Sequence, residues 1–464
     1  MNDLTEMRQT HTRLVMLFFL VSLLIPYMIY YSNRNIITAV IPYFVDHGVL
    51  TQKTFAWMQT CSYGMMIVAK FGLGLFLTAM SRRLSYRTVV FGGLISLIGL
   101  SLMIISACTM FGVEGEKLAI VFVVCFAGIK LISSVMRPLL LSIIHIGISN
   151  RMRDSQSNKY RARFLGWMSS GLQCLSCIGD VIGKVTFAGL ITNDRFIQWA
   201  QKCRQPSWTL AFMTLGSMSL ASAFLPVIGL SNLTRKPKDS DIETTPQDTQ
   251  DASNWKTLLK TLFSNTRMLL LLVCNVLSGF CSVASGSYAV HFYRFALGFD
   301  SVYVTRLDSI SPICIAVGIM TLTFVIQRFM PTARKMIFLL VIIAVTDTTL
   351  IYILRTMLGN DWATNPNSIV AVFIMHQALY FSFAAILDGL AVTYLLPDAD
   401  IAPTTGIISA FSYLGGFTAP FILYRWVSTL DGWKIIFSVV SWVLLANTSL
   451  LVMMSMILYN RKPC

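Results

Sequence analysis

Apolar runs alternate with short polar breaks along almost the whole chain, and each run is long enough to cross about 30 Å of hydrocarbon as a helix. The pattern predicts twelve such helices, at about 14–45, 57–80, 88–111, 117–148, 163–192, 207–231, 267–297, 306–328, 335–357, 367–397, 402–426 and 433–458. Several exceed the minimum length, which allows tilt or a short extension beyond the bilayer. A membrane β-barrel would show short alternating segments instead.

One stretch breaks the pattern. Residues 233–264, "LTRKPKDSDIETTPQDTQDASNWKTLLKTLFS", are polar and carry both charges. They predict a partly disordered cytoplasmic linker that ends in a short surface helix at "NWKTLLKTLF". The linker divides the chain into an N-terminal six-helix half, 1–232, and a C-terminal six-helix half, 265–464. Lys and Arg outside the helices favour the loops on the side of the termini by about two to one, which places both termini in the cytoplasm. The expected fold is therefore an all-α polytopic membrane protein, with a substrate site between its halves near the midplane.

Composition agrees. The chain is 55% hydrophobic and 12% charged, with mean hydropathy +0.67, whereas soluble proteins carry roughly 25% charged residues. The net charge of +15 is mostly a topology signal, so no nucleic-acid partner is expected. The first apolar run is too long for a cleavable signal peptide. The five histidines lack zinc spacing, and the Cys174–Cys177 pair sits in an apolar helix, where it reads as packing. No metal or cofactor is expected. No nucleophile elbow or phosphate-binding loop is present, so the chain does not read as an enzyme.

The candidate chemistry starts at "YYSNRNIITAVIPYF", where Arg34 interrupts an apolar segment. A charge at the bilayer centre costs at least about 2.5–3.5 kcal/mol, so it usually faces a cavity or a partner. The apolar flanks and Pro42 argue against snorkelling to the interface. Guanidinium donates two parallel hydrogen bonds to carboxylate or phosphate and stays charged at any working pH. Lys70, in the middle of the second helix, either faces the cavity as a second anion-attracting charge or pairs with a buried carboxylate. Lys130 and Arg137 on the fourth helix lie two turns apart on one face. The first, second and fourth helices thus bring four cations and no carboxylate, which points to an anionic substrate.

Elsewhere the charges read differently. Asp180 and Lys184, at i and i+4, read as an internal pair. Asp308 with Arg306, Asp347, His376 and Asp388 populate the second half. Buried carboxylates and histidines can carry a proton, so Asp308, Arg306, His376, Asp388 and Asp180 are the candidates for coupling or gating. Gly415, Gly416 and Pro420 suit close helix contact and bending. Tyr27, Tyr30, Tyr31, Tyr380, Phe381 and Tyr413 are candidate cavity aromatics.

The two-half layout resembles the major facilitator superfamily. The loop "GLGLFLTAMSRRLSYR" keeps that superfamily's glycine and its basic cluster at Arg82, Arg83 and Arg87, without the usual acidic residue. Within it, "YYSNRNIITAVIPYFVDHG" resembles the first helix of the organophosphate:phosphate antiporters at Tyr31, Arg34, Ala39, Pro42, Tyr43 and Gly48. "SYGMMIVAKFGLG" is similar to the family's second helix and points at Lys70. "MRPLLLSIIH" keeps the spacing of the family's proline and histidine at Pro138 and His145, and "TTGIISAFSYLGG" matches its eleventh helix around Tyr413.

The resemblance implies an inner-membrane antiporter that rocks one half against the other. Its first-helix arginine carries over to Arg34 and its second-helix lysine to Lys70. The expected substrate set is Arg34, Lys70, Arg137, Tyr31, His145 and Tyr413. The family's seventh-helix arginine does not carry over: the chain reads "CNVLSGFCSVASGSYAVHFYRF", with Arg294 near the outer end. A fifth-helix histidine is absent from "GWMSSGLQCLSCIGD". Three readings stay open. One is organic-anion and phosphate exchange, with Arg137 or Arg306 as a second clamp. Another is proton-coupled transport of a carboxylate, siderophore or amino-acid-like substrate. A third is a ligand sensor similar to the family's hexose-phosphate receptor. Drug efflux would call for acidic residues in the first half, where the sequence has cations. The expected partners are a small anion, the bilayer and a coupling ion, phosphate or protons, with the chain monomeric.

Overall fold

The computed structural model describes residues 2–79, 83–149, 158–234, 263–329, 332–359, 365–395 and 401–459. Most of the expected linker, its surface helix and Arg82 lie outside the described residues, as do the side chains of His145 and Asp388.

Twelve long helical elements account for the apolar runs. They are α1 (Asn2–Ala39, extended by Ile41–Asp46), α2 (Gln52–Ala79), α3 (Leu84–Met110), α4 (Gly115–Ser149), α5 (Asn158–Thr192) and α6 (Ser207–Ser222, continued by Leu225–Thr234). The second set is α7 (Thr266–Ser282, continued to Ala296), α8 (Ser301–Leu307 and Ile310–Phe329), α9 (Ala333–Gly359), α10 (Pro366–Leu395), α11 (Ile401–Leu423) and α12 (Leu430–Tyr459). Ten stretches among the described residues, on α3 to α12, are long and apolar enough to cross a bilayer. With α1 and α2 the polytopic all-helical fold is complete, and no strand occurs among the described residues.

Successive helices reverse direction, so the turns after α1, α3, α5 and α7 share the end of the bundle opposite the termini. We call this the far end. Three of these turns close on a left-handed glycine: Gly48 (φ 67°), Gly112 (φ 75°) and Gly298 (φ 74°). A side chain costs energy in that conformation, and glycine avoids the cost. Between α5 and α6 a short helix, Asp194–Lys202, lies across the far end, capped by Asn193 Oδ1 accepting from the Phe196 amide at 3.1 Å.

Helix packing repeats with an offset of six. The pairs α1–α5, α2–α4, α3–α4 and α3–α6 recur as α7–α11, α8–α10, α9–α10 and α9–α12. Two further pairs, α2–α11 and α5–α8, join the sets and exchange places under the same operation. They form the seam on which any site between the halves depends. In the most apolar window of α7, 72% of residues are buried, against 33% for α8, so α7 runs through the interior while α8 faces outward over most of its surface. Large apolar side chains such as Val68, Phe224 and Trp442 remain exposed, as a lipid-facing surface requires.

Close approach within each set is set by small residues. Gly183 of α5 lies against Ser32 of α1, and Gly415 of α11 sits against the Val276 carbonyl of α7. Gly416 faces another side of α11, where a Cβ would meet the Tyr63 ring of α2 at 2.7 Å. The neighbouring glycines therefore serve different contacts, one inside a half and one across the seam. Gly415→Val should force α7 and α11 apart and cost about 1–3 kcal/mol, read as a lower melting temperature of the purified protein. An unchanged melting temperature would show that this contact is not tight.

Candidate functional site

Arg34 lies on α1 five residues before the helix ends at Ala39, on a face rich in tyrosine. Its guanidinium carbon stands 5.0 Å from the centroid of the Tyr31 ring. Tyr30 and Tyr31 meet edge to face at 4.7 Å, and Tyr27 closes the group at 5.0 Å from Tyr31. The Tyr31 ring presents its π face to the cation, an attraction worth about 2 kcal/mol when water is excluded, and none of the three rings brings a negative charge. Arg34 Nε is buried and has no hydrogen-bond partner. Among the described residues no carboxylate forms an ion pair with Arg34.

A second cation joins it. Lys130 of α4 is 8% exposed, lies 4.9 Å from the Phe126 ring centroid, and donates to Asn35 Oδ1 at 3.4 Å, one residue from Arg34. It is close enough to Arg34 for the two charges to act on each other. Asp180 of α5 also lies within electrostatic reach of Lys130, but among the described residues neither cation forms an ion pair with a carboxylate, which leaves two charges costly to hold in a low-dielectric space.

The seam brings the second half to this cluster. Tyr413 of α11 and Tyr63 of α2 both lie within electrostatic reach of Arg34. Their rings are 6.1 Å apart, and the Tyr63 hydroxyl pairs with Ser287 Oγ of α7 at 3.4 Å. Arg34, Tyr31 and Tyr413 of the expected set therefore converge. Lys70 does not lie level with them: it is half-buried on α2, two turns beyond Tyr63 towards the termini. Arg137 likewise lies two turns beyond Lys130, donating to Gln173 Oε1 of α5 at 2.8 Å. Lys130 and Tyr63 join the site from outside the expected set. Their signals in the sequence are the spacing of Lys130 on the face it shares with Arg137, and the tyrosine of "SYG" on α2.

The expected internal pair on α5 is part of a larger group. Lys184 Nζ lies 2.9 Å from Asp180 Oδ2 and 2.5 Å from Asp308 Oδ2 of α8, with all three side chains almost wholly buried. One cation thus bridges two carboxylates across the seam. Asp180 Oδ1 keeps no partner. Beyond this triad, towards the far end, three contacts tie the halves. Arg306 donates to Thr192 Oγ1 at 3.1 Å, Arg294 pairs with Asp46 at 3.0 Å, and Thr305 donates to the Ala39 carbonyl at 3.4 Å. Arg306 is exposed there and makes a rim contact, away from Arg34. His376 is fully buried in the second half, against Asp347 of α9 and Ser285 of α7.

The sequence pattern of the Major Facilitator Superfamily matches residues 23–420. No curated protein matches the sequence. Similar solved structures include a bacterial homolog of the human lysosomal transporter Spinster, inward-facing and unoccupied (TM-score 0.65, 13% identity, 97% of this chain and 99% of that chain). A point mutant of the nucleoside transporter NupG is also similar (TM-score 0.59, 12% identity, 95% and 99%). So is a bacterial homologue of the iron transporter ferroportin in an outward-facing state (TM-score 0.56, 13% identity, 94% and 99%). At these identities the likeness is one of fold.

Proposed function

We propose, from the premise that this chain belongs to the major facilitator superfamily of membrane transporters, that it carries a small organic anion across the bilayer by alternating access. One observation carries the proposal: Arg34 and Lys130 share the interior and, among the described residues, neither forms an ion pair with a carboxylate, Asp180 reaching Lys130 only at longer range. Such a charge excess attracts an anion, and a planar guanidinium binds carboxylate or phosphate with two parallel bonds. The tyrosines around it give the site an apolar body with polar tips, suited to an organic portion next to the charge.

The basic loops support an orientation with both termini in the cytoplasm; the reading takes the membrane as a bacterial-type inner membrane and the chain as a monomer. The far end is then the outer side. The contacts Arg294–Asp46, Arg306–Thr192 and Lys184–Asp308 close it in this conformation, and opening the site outward must break them. Asp180, Asp308 and Arg306 are in this reading gating residues.

Organophosphate and phosphate exchange is the form of the proposal suggested by the first- and eleventh-helix motifs. A proton-coupled carboxylate carrier is favoured by a different observation. Among the described residues α7 brings no cation beside Arg34, and the second half buries an aspartate–histidine pair. Radiolabelled phosphate uptake into proteoliposomes preloaded with phosphate separates the two. Exchange supports the antiporter. Its absence in folded protein removes phosphate and directs the test to carboxylates and amino acids under an imposed proton gradient. If no anion accumulates or exchanges but one binds, the chain is a sensor. Failure of every anion to bind would sink the proposal.

A further inference from the structure

Behind the seam, three helices of the second half contribute to one buried hydrogen-bonded line. Asp347 of α9, 2% exposed, meets His376 Nδ1 of α10 through Oδ1 at 2.7 Å. The other ring nitrogen, Nε2, meets Ser285 Oγ of α7, also at 2.7 Å. Asp347 Oδ2 is buried without a partner. Among the described residues His376 alone forms an ion pair with Asp347.

Ser285 occupies a special place on α7. It sits in a π-helical turn, Val283–Ser287, where the Tyr288 amide reaches back five residues to the Val283 carbonyl at 3.1 Å. A second π-helical turn follows at Phe292–Ala296. Such turns are rare and cluster at functional sites, because the helix there lies between two hydrogen-bond registers. Helix α10 holds the first turn twice: His376 bonds the Ser285 side chain, and Gln377 Nε2 donates to the Ser285 carbonyl at 2.5 Å. Two residues further on, Ser287 meets Tyr63 across the seam beside Arg34.

We propose that the Asp347–His376 pair is a proton-binding site whose occupancy is passed to the substrate site through Ser285 and the π-helical turn of α7. With neutral His376, Nδ1–H donates to the Asp347 carboxylate and Nε2 accepts from the Ser285 hydroxyl. The pair then carries one negative charge. A proton taken up on Nε2 neutralises the pair and reverses that bond: Nε2–H now donates to Ser285 Oγ, and the hydroxyl proton must turn to another acceptor. The nearest helical acceptors are the carbonyls of its own preceding turn, so protonation shifts the preference of α7 between its two registers. Release of the proton restores the first state.

The other groups facing the pair are few. Cys281 of α7 lies within electrostatic reach of Asp347. The Tyr380 ring of α10 lies tilted 5.7 Å from the His376 ring, and its hydroxyl bonds Ser278 of α7 at 2.9 Å. Tyr293 of α7 donates to Gln377 Oε1 at 3.4 Å, and Asp308 and Cys314 of α8 lie within its electrostatic reach. The proposal rests on the transporter fold and does not depend on the charge of the substrate.

The test uses the full chain in lipid nanodiscs without substrate. Hydrogen exchange of the segment 276–296 is followed by mass spectrometry between about pH 5 and 8, corrected for intrinsic rates. Wild type should change its protection several-fold across that range, and His376→Gln and Asp347→Asn should be flat. Ser285→Ala keeps the pair intact but cuts the link. It should keep a titrating histidine ring band in the infrared spectrum, one that His376→Gln lacks, while segment 276–296 no longer responds. A wild-type segment insensitive to pH, or a response that survives in His376→Gln or in Ser285→Ala, overturns the proposal. Should the histidine or aspartate variant not fold, Ser285→Ala decides alone. Loss of the anion reading would leave these results untouched.

Discussion

Arg34→Met should abolish anion transport and at the same time raise the melting temperature of the empty protein. Both effects follow from one fact: Arg34 is a largely desolvated cation whose neighbours are tyrosine rings and another cation, Lys130. In the loaded state the guanidinium contributes charge-assisted hydrogen bonds, each about 1.5–3 kcal/mol. Losing the pair lowers anion affinity by on the order of 100-fold or more. In the empty state, among the described residues, the same charge has its cation–π contact with Tyr31 and no ion pair to offset its burial. Replacing it with an apolar side chain of similar length should stabilise the protein by on the order of 1 kcal/mol, the usual exchange of activity for stability at a binding site. Arg34→Lys should keep the charge but lose the fork, with transport weakened at least tenfold and little change in stability. Anion uptake and melting curves on the three proteins check this. An Arg34→Met protein that melts lower than wild type would mean the arginine is structural.

Lys184→Met should have the opposite effect on stability. Here the buried cation lies 2.9 Å and 2.5 Å from two carboxylates, and its removal leaves Asp180 and Asp308 buried without a counter-charge. Breaking a buried ion pair from one side costs about 3–5 kcal/mol. The double change Lys184→Met with Asp308→Asn should recover part of that loss, because it removes one of the stranded charges. The shortfall from additivity measures the coupling across the α5–α8 seam. Asp180→Asn alone should be milder, since Lys184 keeps Asp308. Thermal unfolding in detergent distinguishes these outcomes. If Lys184→Met melts with wild type, the triad is not an ion-paired lock in the folded protein.

The contrast between the two cations shows how far sequence reading reaches. Arg34 stands out because an apolar run cannot hold a charge without a reason, and the structure places Tyr31 and Tyr413 with it. Lys184 reads as the partner of Asp180 because i and i+4 neighbours meet on any helix. Its second partner, Asp308, is more than a hundred residues away. In the sequence Asp308 is a buried acid beside Arg306, which in the fold reaches the far rim instead.

His376 reads as a proton carrier, yet neither its bond to Asp347 nor its hold on Ser285 follows from spacing. Gly415 and Gly416 read as one close-packing motif. They in fact serve different contacts, Val276 of α7 and Tyr63 of α2, because consecutive helical residues point about 100° apart.

The sequence by itself determined the class of molecule. A bilayer demands about twenty apolar residues per crossing and satisfied backbone groups within each, so run length and composition alone dictate a polytopic helical protein. The same cost of burying charge marked Arg34. Only the tertiary structure decided which charges meet. Helical periodicity assigns a residue to a face, but which face meets which is set by packing among twelve helices. That packing repeats α1–α5 as α7–α11, seats Lys130 beside Arg34 and hands Lys184 to a second carboxylate.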